Sequence, residues 1–557
     1  MSTSTDADKP EGHVGAAIAH DSARLHVTGH ALYTDDLPEP RNLLHAAFGT
    51  SPVAHGDIRS LNLAPVRAAP GVVAVLTAAD IRGENNYGAV QKDDPILTPS
   101  RVENCGQPVF LLLAETVNAA RKAARLAQFD IEPLPALLDP ETASAADSHV
   151  LPPRTLTRGD ADQAIAAAAH RLTGTARVGG QDQFYLEGQI AMALPREDGD
   201  FFIYSSTQHP GEVQHAVAHA TAVAAKDVIV ECRRMGGAFG GKESQPALIA
   251  CAAAIGAQVT GQPVKLRLDR DSDMIITGKR HDFVSHYDVG FDDEGRIDGI
   301  RFHHLSRCGM SADLSGAVND RTMFHSDNAY YLPHVHIDSE RCKTHTVSNT
   351  AFRGFGGPQG MFAIEYVIDE IARHLGKDPV AVRQVNYYGK DTRNETPYGQ
   401  VIEDNILQEI TDTLLANADY TTRRGAVDAF NSSNDVLKRG LALTPVKFGI
   451  SFTATHLNQA GALVHLYTDG TVHLNHGGTE MGQGLFTKVA QVVAETLCID
   501  VDRIKITASD TSKVPNASAT AASSGSDLNG MAARNAALKL KDRLTAFAAD
   551  HYGVSEA

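Results

Sequence analysis

The sequence predicts an α+β fold: a small α/β unit at the N-terminus, then two lobes of mixed α+β structure, the second incomplete. Three observations carry this. Short apolar runs alternate with helical periodicity in the first part of the chain; from about Arg158 strands, glycine loops and helices intermingle; and no short repeat of fixed period appears. At 557 residues the chain also exceeds what a single hydrophobic core serves.

Residues 1–21 read as a solvated tail, because MSTSTDADKPEGH has no apolar core and no signal-peptide character. Residues 22–137 read as the small α/β unit, with strands at VVAVLTA (72–78) and PVFLLLA (108–114). The stretch ETVNAARKAARLAQFDIEP carries Ala and Leu at three-to-four spacing and predicts a helix running into a strand. Residues 138–157, rich in Pro, Ser and Ala, read as a linker crossing the surface between two units. The first lobe is expected over 158–420, with a strand at DGDFFIYSSTQHP and an amphipathic helix at HPGEVQHAVAHATAVAA. The second lobe is expected over 421–557, where DG in GALVHLYTDGTVHLNHGGTE signals a tight turn and FTKVAQVVAETLCI suits a helix. It is expected to be truncated at Ala557.

Hydrophobic content of 43% with 21% charged residues is ordinary for a globular protein. A formal charge of −17 argues against nucleic acid or an anionic membrane as partner, since each selects a basic face. No run of ~18 apolar residues predicts a membrane-spanning helix. The six cysteines, Cys105, Cys232, Cys251, Cys308, Cys342 and Cys498, lie at least 19 residues apart, outside the short spacings of zinc or iron–sulfur ligation. They read as free thiols in a reducing cytoplasm, so electrons from any redox chemistry leave through another polypeptide.

The chemistry is concentrated in glycine-rich runs. AFRGFGGPQG (351–360) sets Arg353 and Phe355 among glycines, RRMGGAFGGKE (233–243) does the same with Phe239 and Glu243, and GGTEMGQG (477–484) is a third run. Glycine forfeits packing and costs chain entropy, so such runs call for close approach of a ligand. Consecutive backbone amides in such loops form anion-binding concavities. With SSTQHP (205–210), NDRTMFH (319–325), FGISFT (448–453) and SATAASSGS (518–526), their order and spacing resemble the molybdopterin-binding part of the molybdenum hydroxylase family, on its xanthine dehydrogenase branch.

The resemblance implies a hammerhead-like N-terminal domain and two molybdopterin-binding lobes. It implies a molybdenum–molybdopterin cofactor in its Mo=S form, held through the pterin dithiolene with no direct protein ligand to the metal. Gln208, Gly237, Ala238, Phe239, Arg353, Met481, Gly482, Gln483, Ala522 and Ser523 fall where that family grips the cofactor, and Gln208 also counts among the catalytic positions. Ala238 departs from the usual glycine, and strain of about 1–2 kcal/mol is expected there if the position demands positive φ. Glu243 and Arg321 match the catalytic, substrate-binding pair of the purine-oxidising branch, a carboxyl group to orient the ring and a guanidinium to stabilise developing charge. Phe355 and Phe452 match the rings that sandwich the heterocycle, and Arg353 matches a contact to substrate or cofactor.

By the same resemblance the reaction is hydroxylation of hypoxanthine and xanthine to urate with water as oxygen source. Electrons pass to a partner bearing 2Fe-2S clusters and FAD that uses NAD, within a hetero-oligomer. The family's general base, a glutamate in a GEPP-type motif, has no counterpart here. Either a separate chain supplies it, or this chain is a truncated, non-catalytic cofactor binder. A hydroxylase of another N-heterocycle or an aldehyde is the remaining alternative; Glu243 and Arg321 argue against the aldehyde branch.

Overall fold

The computed structural model describes residues 12–555, so the first eleven residues of the expected tail and the last two of the chain lie outside the described residues. Its main feature is an eight-stranded sheet assembled from all three expected units. In spatial order its strands are Ser509–Asp510, Val228–Cys232, Phe201–Ser205, Ile190–Pro195, Val264–Arg267, Leu44–Thr50, Pro108–Ala114 and Val72–Leu76. The N-terminal unit joins the first lobe where Leu44–Thr50 runs parallel to Val264–Arg267, Leu44 opposite Val264. The second lobe joins at the far edge, where Ser509 faces Cys232 and Asp510 faces Glu231.

Two helices cover this sheet, α1 (Pro210–Thr221) and α2 (Pro246–Thr260). The sequence of α2, PALIACAAAIGAQVT, is apolar on every side, and Pro246 through Ala257 are all buried, as expected for a helix enclosed by protein. Its small residues permit close approach: a Cβ on Gly256 would lie 2.9 Å from Leu113 of the sheet.

A five-stranded sheet carries the rest of the first lobe, ordered His149–Arg158, Val335–Lys343, Ile297–Gly309, Phe283–Phe291, His170–Val178. Helices α3 (Ser315–Phe324) and α4 (Gly357–Leu375) pack together beside it, α4 burying Ala363, Ile364, Val367, Ile368 and Ile371 at helical spacing. The stretch expected as a linker is part of this lobe: Pro140–Ala145 is helical and His149–Arg158 is the sheet's edge strand, paired antiparallel to Val335–Lys343. Pro152 and Pro153 suggested a linker, yet an edge strand tolerates proline because its outward N–H groups need no ladder partner.

In the second lobe the hairpin Ala462–Leu466 and Val472–His476 forms as the DG turn predicts, with Gly470 at φ 80°. Helices α5 (Leu485–Leu497) and α6 (Gly525–Tyr552) complete its core. Residues from Gly12 onward lie along α5: Val14 N donates to Glu495 Oε2 at 2.9 Å, and Asp21 N to Thr487 Oγ1 at 2.8 Å. Among the described residues no helix is long and apolar enough to cross a membrane, and all six cysteines are free.

Ala46 sits at the seam, opposite Leu266 on one side and Leu113 on the other. Ala46→Pro removes a ladder donor in a central strand. It is expected to make the N-terminal unit and the first lobe sensitive to limited proteolysis together. Loss confined to residues before about 140 would show that the two fold independently.

Candidate active site

Strand Val228–Cys232 delivers the chain into the glycine loop at 233–243, which is held from beneath by one carboxylate. Glu187 Oε2 accepts from Gly236 N at 2.9 Å, Ser206 Oγ at 2.6 Å and Lys242 Nζ at 3.1 Å. Lys242 is fully buried, donates also to Ser206 Oγ at 2.8 Å, and lies 4.8 Å from the centre of the Tyr185 ring; burial pushes its pKa down. A buried charge without such partners is strongly destabilising, so Lys242 and Glu187 fix the loop as a unit.

The loop meets the second glycine run edge to edge. Phe239 O accepts from Arg353 N at 2.8 Å, and a Cβ on Gly240 would stand 2.9 Å from the backbone of Ala351, so only glycine fits. The expected strain at Ala238 is absent. Ala238 is buried without positive φ, and the left-handed conformation falls on its neighbours Gly237 (φ 91°) and Phe239 (φ 56°). Phe355 (φ 51°), Ser451 (φ 77°), Ala522 (φ 56°) and Ser523 (φ 57°) are left-handed too. Non-glycine residues held in this region cost free energy and gather at functional sites.

Gln208 joins the first lobe to the second. Its Oε1 accepts from Gly240 N at 3.0 Å, and its Nε2 donates to Thr520 O at 3.0 Å, leaving one amide hydrogen uncommitted. The next residue reinforces the junction: His209 Nδ1 bonds Glu212 Oε2 at 3.0 Å while Nε2 bonds Ala517 O at 3.2 Å. Burial opposes charge on this ring, but the Glu212 hydrogen bond and charge outweigh it and raise its pKa. The His209 ring, bonded at both nitrogens, fastens the loop that carries Ala522 and Ser523. That loop ends at the N-terminus of the 28-residue α6, whose free amides and dipole favour an anion.

The third glycine run differs from expectation. Its amides are taken by its own Glu480, which accepts from Gly482 N at 2.8 Å, Gly484 N at 3.1 Å and Phe486 N at 3.2 Å. Met481 N donates to Gln483 Oε1 at 2.7 Å, so this loop can offer side chains and an apolar face to a ligand, while those amides are already satisfied. The Arg353 side chain is likewise exposed, with no hydrogen bond or ion pair among the described residues.

Glu243 is buried without a side-chain hydrogen bond, and burial, aided by Glu212 and Asp313, raises its pKa to about 8. Asp313 beside it is pushed up to about 7, again chiefly by burial. Burial thus favours the neutral form of each of these carboxyls. Arg321, buried on α3, donates to Gly449 O and Ser451 O, both at 2.5 Å, and stands 5.4 Å from the Phe448 ring centre. It has no carboxylate partner and its buried Nε has no acceptor among the described residues, and burial lowers its pKa. No contact between Glu243 and Arg321, or between the rings of Phe355 and Phe452, is present among the described residues; both phenylalanines are half-buried.

Sequence reasoning missed Lys242, Glu187, Glu480, Asp313 and the His209–Glu212 pair. Only the last left a local signal, a His and a Glu three apart at a helix start. The assembled surface can hold an extended anionic cofactor: left-handed backbone at Gly237 and at Ala522–Ser523, a helix N-terminus, and buried Ser518 Oγ and Thr479 Oγ1 without hydrogen-bond partners among the described residues.

Comparison with known proteins agrees with this geometry. Residues 28–135 match the a/b hammerhead domain of aldehyde oxidase and xanthine dehydrogenase, and residues 144–387 and 413–557 each match a molybdopterin cofactor-binding domain. The chain is 41% identical over 534 residues to xanthine dehydrogenase of Calliphora vicina, covering 95% of this chain and 39% of the relative. It is 40% identical over 535 residues to xanthine dehydrogenase/oxidase of Gallus gallus, covering 96% of this chain and 39% of the relative. Thus the chain spans about two fifths of the length of these curated relatives. Aldehyde oxidoreductase from Desulfovibrio gigas superposes with a TM-score of 0.83 at 25% identity, over 95% of this chain and 60% of that one.

The raised Glu243 pKa makes a pH prediction. The folded protein keeps this proton to about pH 8, whereas the unfolded chain releases it near pH ~4. Stability therefore falls as pH rises between those values, with a limiting slope of about 1.4 kcal/mol per pH unit for this group. Glu243→Gln is expected to flatten the decline between pH 5 and pH 8 in urea denaturation. Parallel curves for variant and wild type would show that Glu243 ionises normally.

Proposed function

This chain belongs to the molybdenum hydroxylase family, and we infer that it is the molybdopterin-bearing part of a xanthine dehydrogenase. In this reading hypoxanthine and xanthine are hydroxylated to urate, each step consuming one water and releasing two electrons and two protons. The electrons pass to iron–sulfur and FAD centres outside these residues and on to NAD. When bound, the molybdenum cofactor, in its Mo=S form, supplies the electron acceptor for oxidising the ring carbon.

This chain's residues then hold, orient and polarise. The backbone around Gly237, Ala238 and Phe239, with Ala522 and Ser523 at the α6 N-terminus, holds the cofactor's anionic part. Met481 and Gln483 would offer side chains beside it, and the uncommitted amide hydrogen of Gln208 could donate to an acceptor on the bound group without adding charge. Phe355 and Phe452 flank the flat heterocycle, while Arg353 at the rim is available to either ligand. A protonated Glu243 both donates to and accepts from the purine edge, which fixes which carbon is presented. Arg321 stabilises negative charge growing on the purine carbonyls, in a buried setting where such an interaction is strongest.

The observation that carries this reading is Arg321: a buried guanidinium with no counter-ion, held in place by two backbone carbonyls. A buried guanidinium without a carboxylate beside it retains the capacity to pair with a ligand's acceptor oxygens. The test is xanthine-dependent dye reduction by the native complex purified through a tag on this chain. Wild type is expected to reduce the dye, and Arg321→Met to lose ~100-fold or more in kcat/KM at unchanged molybdenum content. Unchanged xanthine turnover by Arg321→Met defeats the assignment. Turnover of an aldehyde but not of xanthine by wild type defeats the purine reading.

A further inference from the structure

One cluster of metal-ligating side chains lies outside the site described above, at the edge of the five-stranded sheet. Strand pairing sets Cys342 opposite His149, and Glu340 lies two residues before Cys342, on the same face of its strand. One donor atom from each of His149, Glu340 and Cys342 falls within 4.8 Å of the other two. Two of them already touch, His149 Nε2 and Glu340 Oε2 at 2.9 Å. Ligands around a tetrahedral zinc ion are spaced by roughly 3–4 Å, so a small adjustment closes the set.

The surrounding groups are arranged as outer partners of a metal site. Asp147 Oδ1, on an exposed side chain, stands 3.4 Å from His149 Nδ1, and the opposite ring nitrogen Nε2 faces Glu340. His303 Nε2 lies 2.7 Å from Glu340 Oε1 and fixes the carboxylate through its other oxygen. We propose that His149, Glu340 and Cys342 form a zinc-binding site with a fourth position open to water. Imidazole, carboxylate and thiolate together favour zinc over magnesium or calcium, which take oxygen ligands. Burial pushes the Cys342 thiol up, so the free protein carries it protonated, and binding forms the sulfur–zinc bond with release of that proton. The ion staples the edge strand His149–Arg158 to its neighbour, where the register already shifts between Arg341 and Cys342.

The test uses the full chain without a polyhistidine tag, stripped of divalent metal, in a Cys105→Ser/Cys498→Ser background that removes the exposed thiols. Titration with cobalt(II) is expected to give one equivalent bound, with sulfur-to-cobalt charge-transfer absorption and tetrahedral d–d bands that zinc abolishes. Cys342→Ser is expected to remove the charge-transfer band. His149→Gln, which keeps Cys342, is expected to weaken binding by ~10-fold or more. Spectra identical in the parent and Cys342→Ser overturn the proposal, as does octahedral cobalt alone. Undiminished affinity in His149→Gln overturns it too, even if Cys342→Ser fails to fold.

Discussion

Gln208 accepts from Gly240 on the first lobe and donates to Thr520 on the second, and much of the site depends on that one amide. Each bond alone is worth only about 1 kcal/mol net. Their importance is geometric, because they hold the glycine loop and the loop before α6 at a fixed separation. The His209 ring fastens the same second-lobe loop at Ala517, three residues earlier. The eight-stranded sheet supports this arrangement, since strands of all three units pair within it.

Around that clamp the protein withdraws charged groups from water and leaves some incompletely matched. Lys242 and Glu187 are matched, and they serve the loop's shape. Glu243 has no side-chain hydrogen bond, and burial raises its pKa and that of Asp313. Arg321 cannot respond in that way, because a guanidinium stays charged, so it remains a cation beside carbonyl dipoles and the Phe448 ring. A buried acid and a buried cation without a counter-ion are each costly to maintain.

Much of this was legible in the sequence. Strands at 72–76 and 108–114, the DG hairpin and α5 form where apolar alternation and helical spacing predict them, because each has its own local signal. The glycine runs do form loops, and at Gly240 the close approach is that of the Ala351 backbone. What escaped was long-range. Edge pairing of His149–Arg158 depends on Val335–Lys343, nearly two hundred residues away, and a Pro-rich edge strand looks like a linker. Ala238 escaped strain because φ is set by the turn's path, which places the left-handed residues on either side of it. Glu480 filling the amides of its own loop could not be told from a surface glutamate without the fold.

The most direct test of the account is anomalous diffraction at the molybdenum edge from crystals of the native complex soaked with xanthine. A molybdenum peak is expected beside Gln208, Glu243 and Ala522, with purine density between Phe355 and Phe452 reaching both Glu243 and Arg321. A molybdenum peak elsewhere, or purine bound out of reach of Arg321, would contradict it.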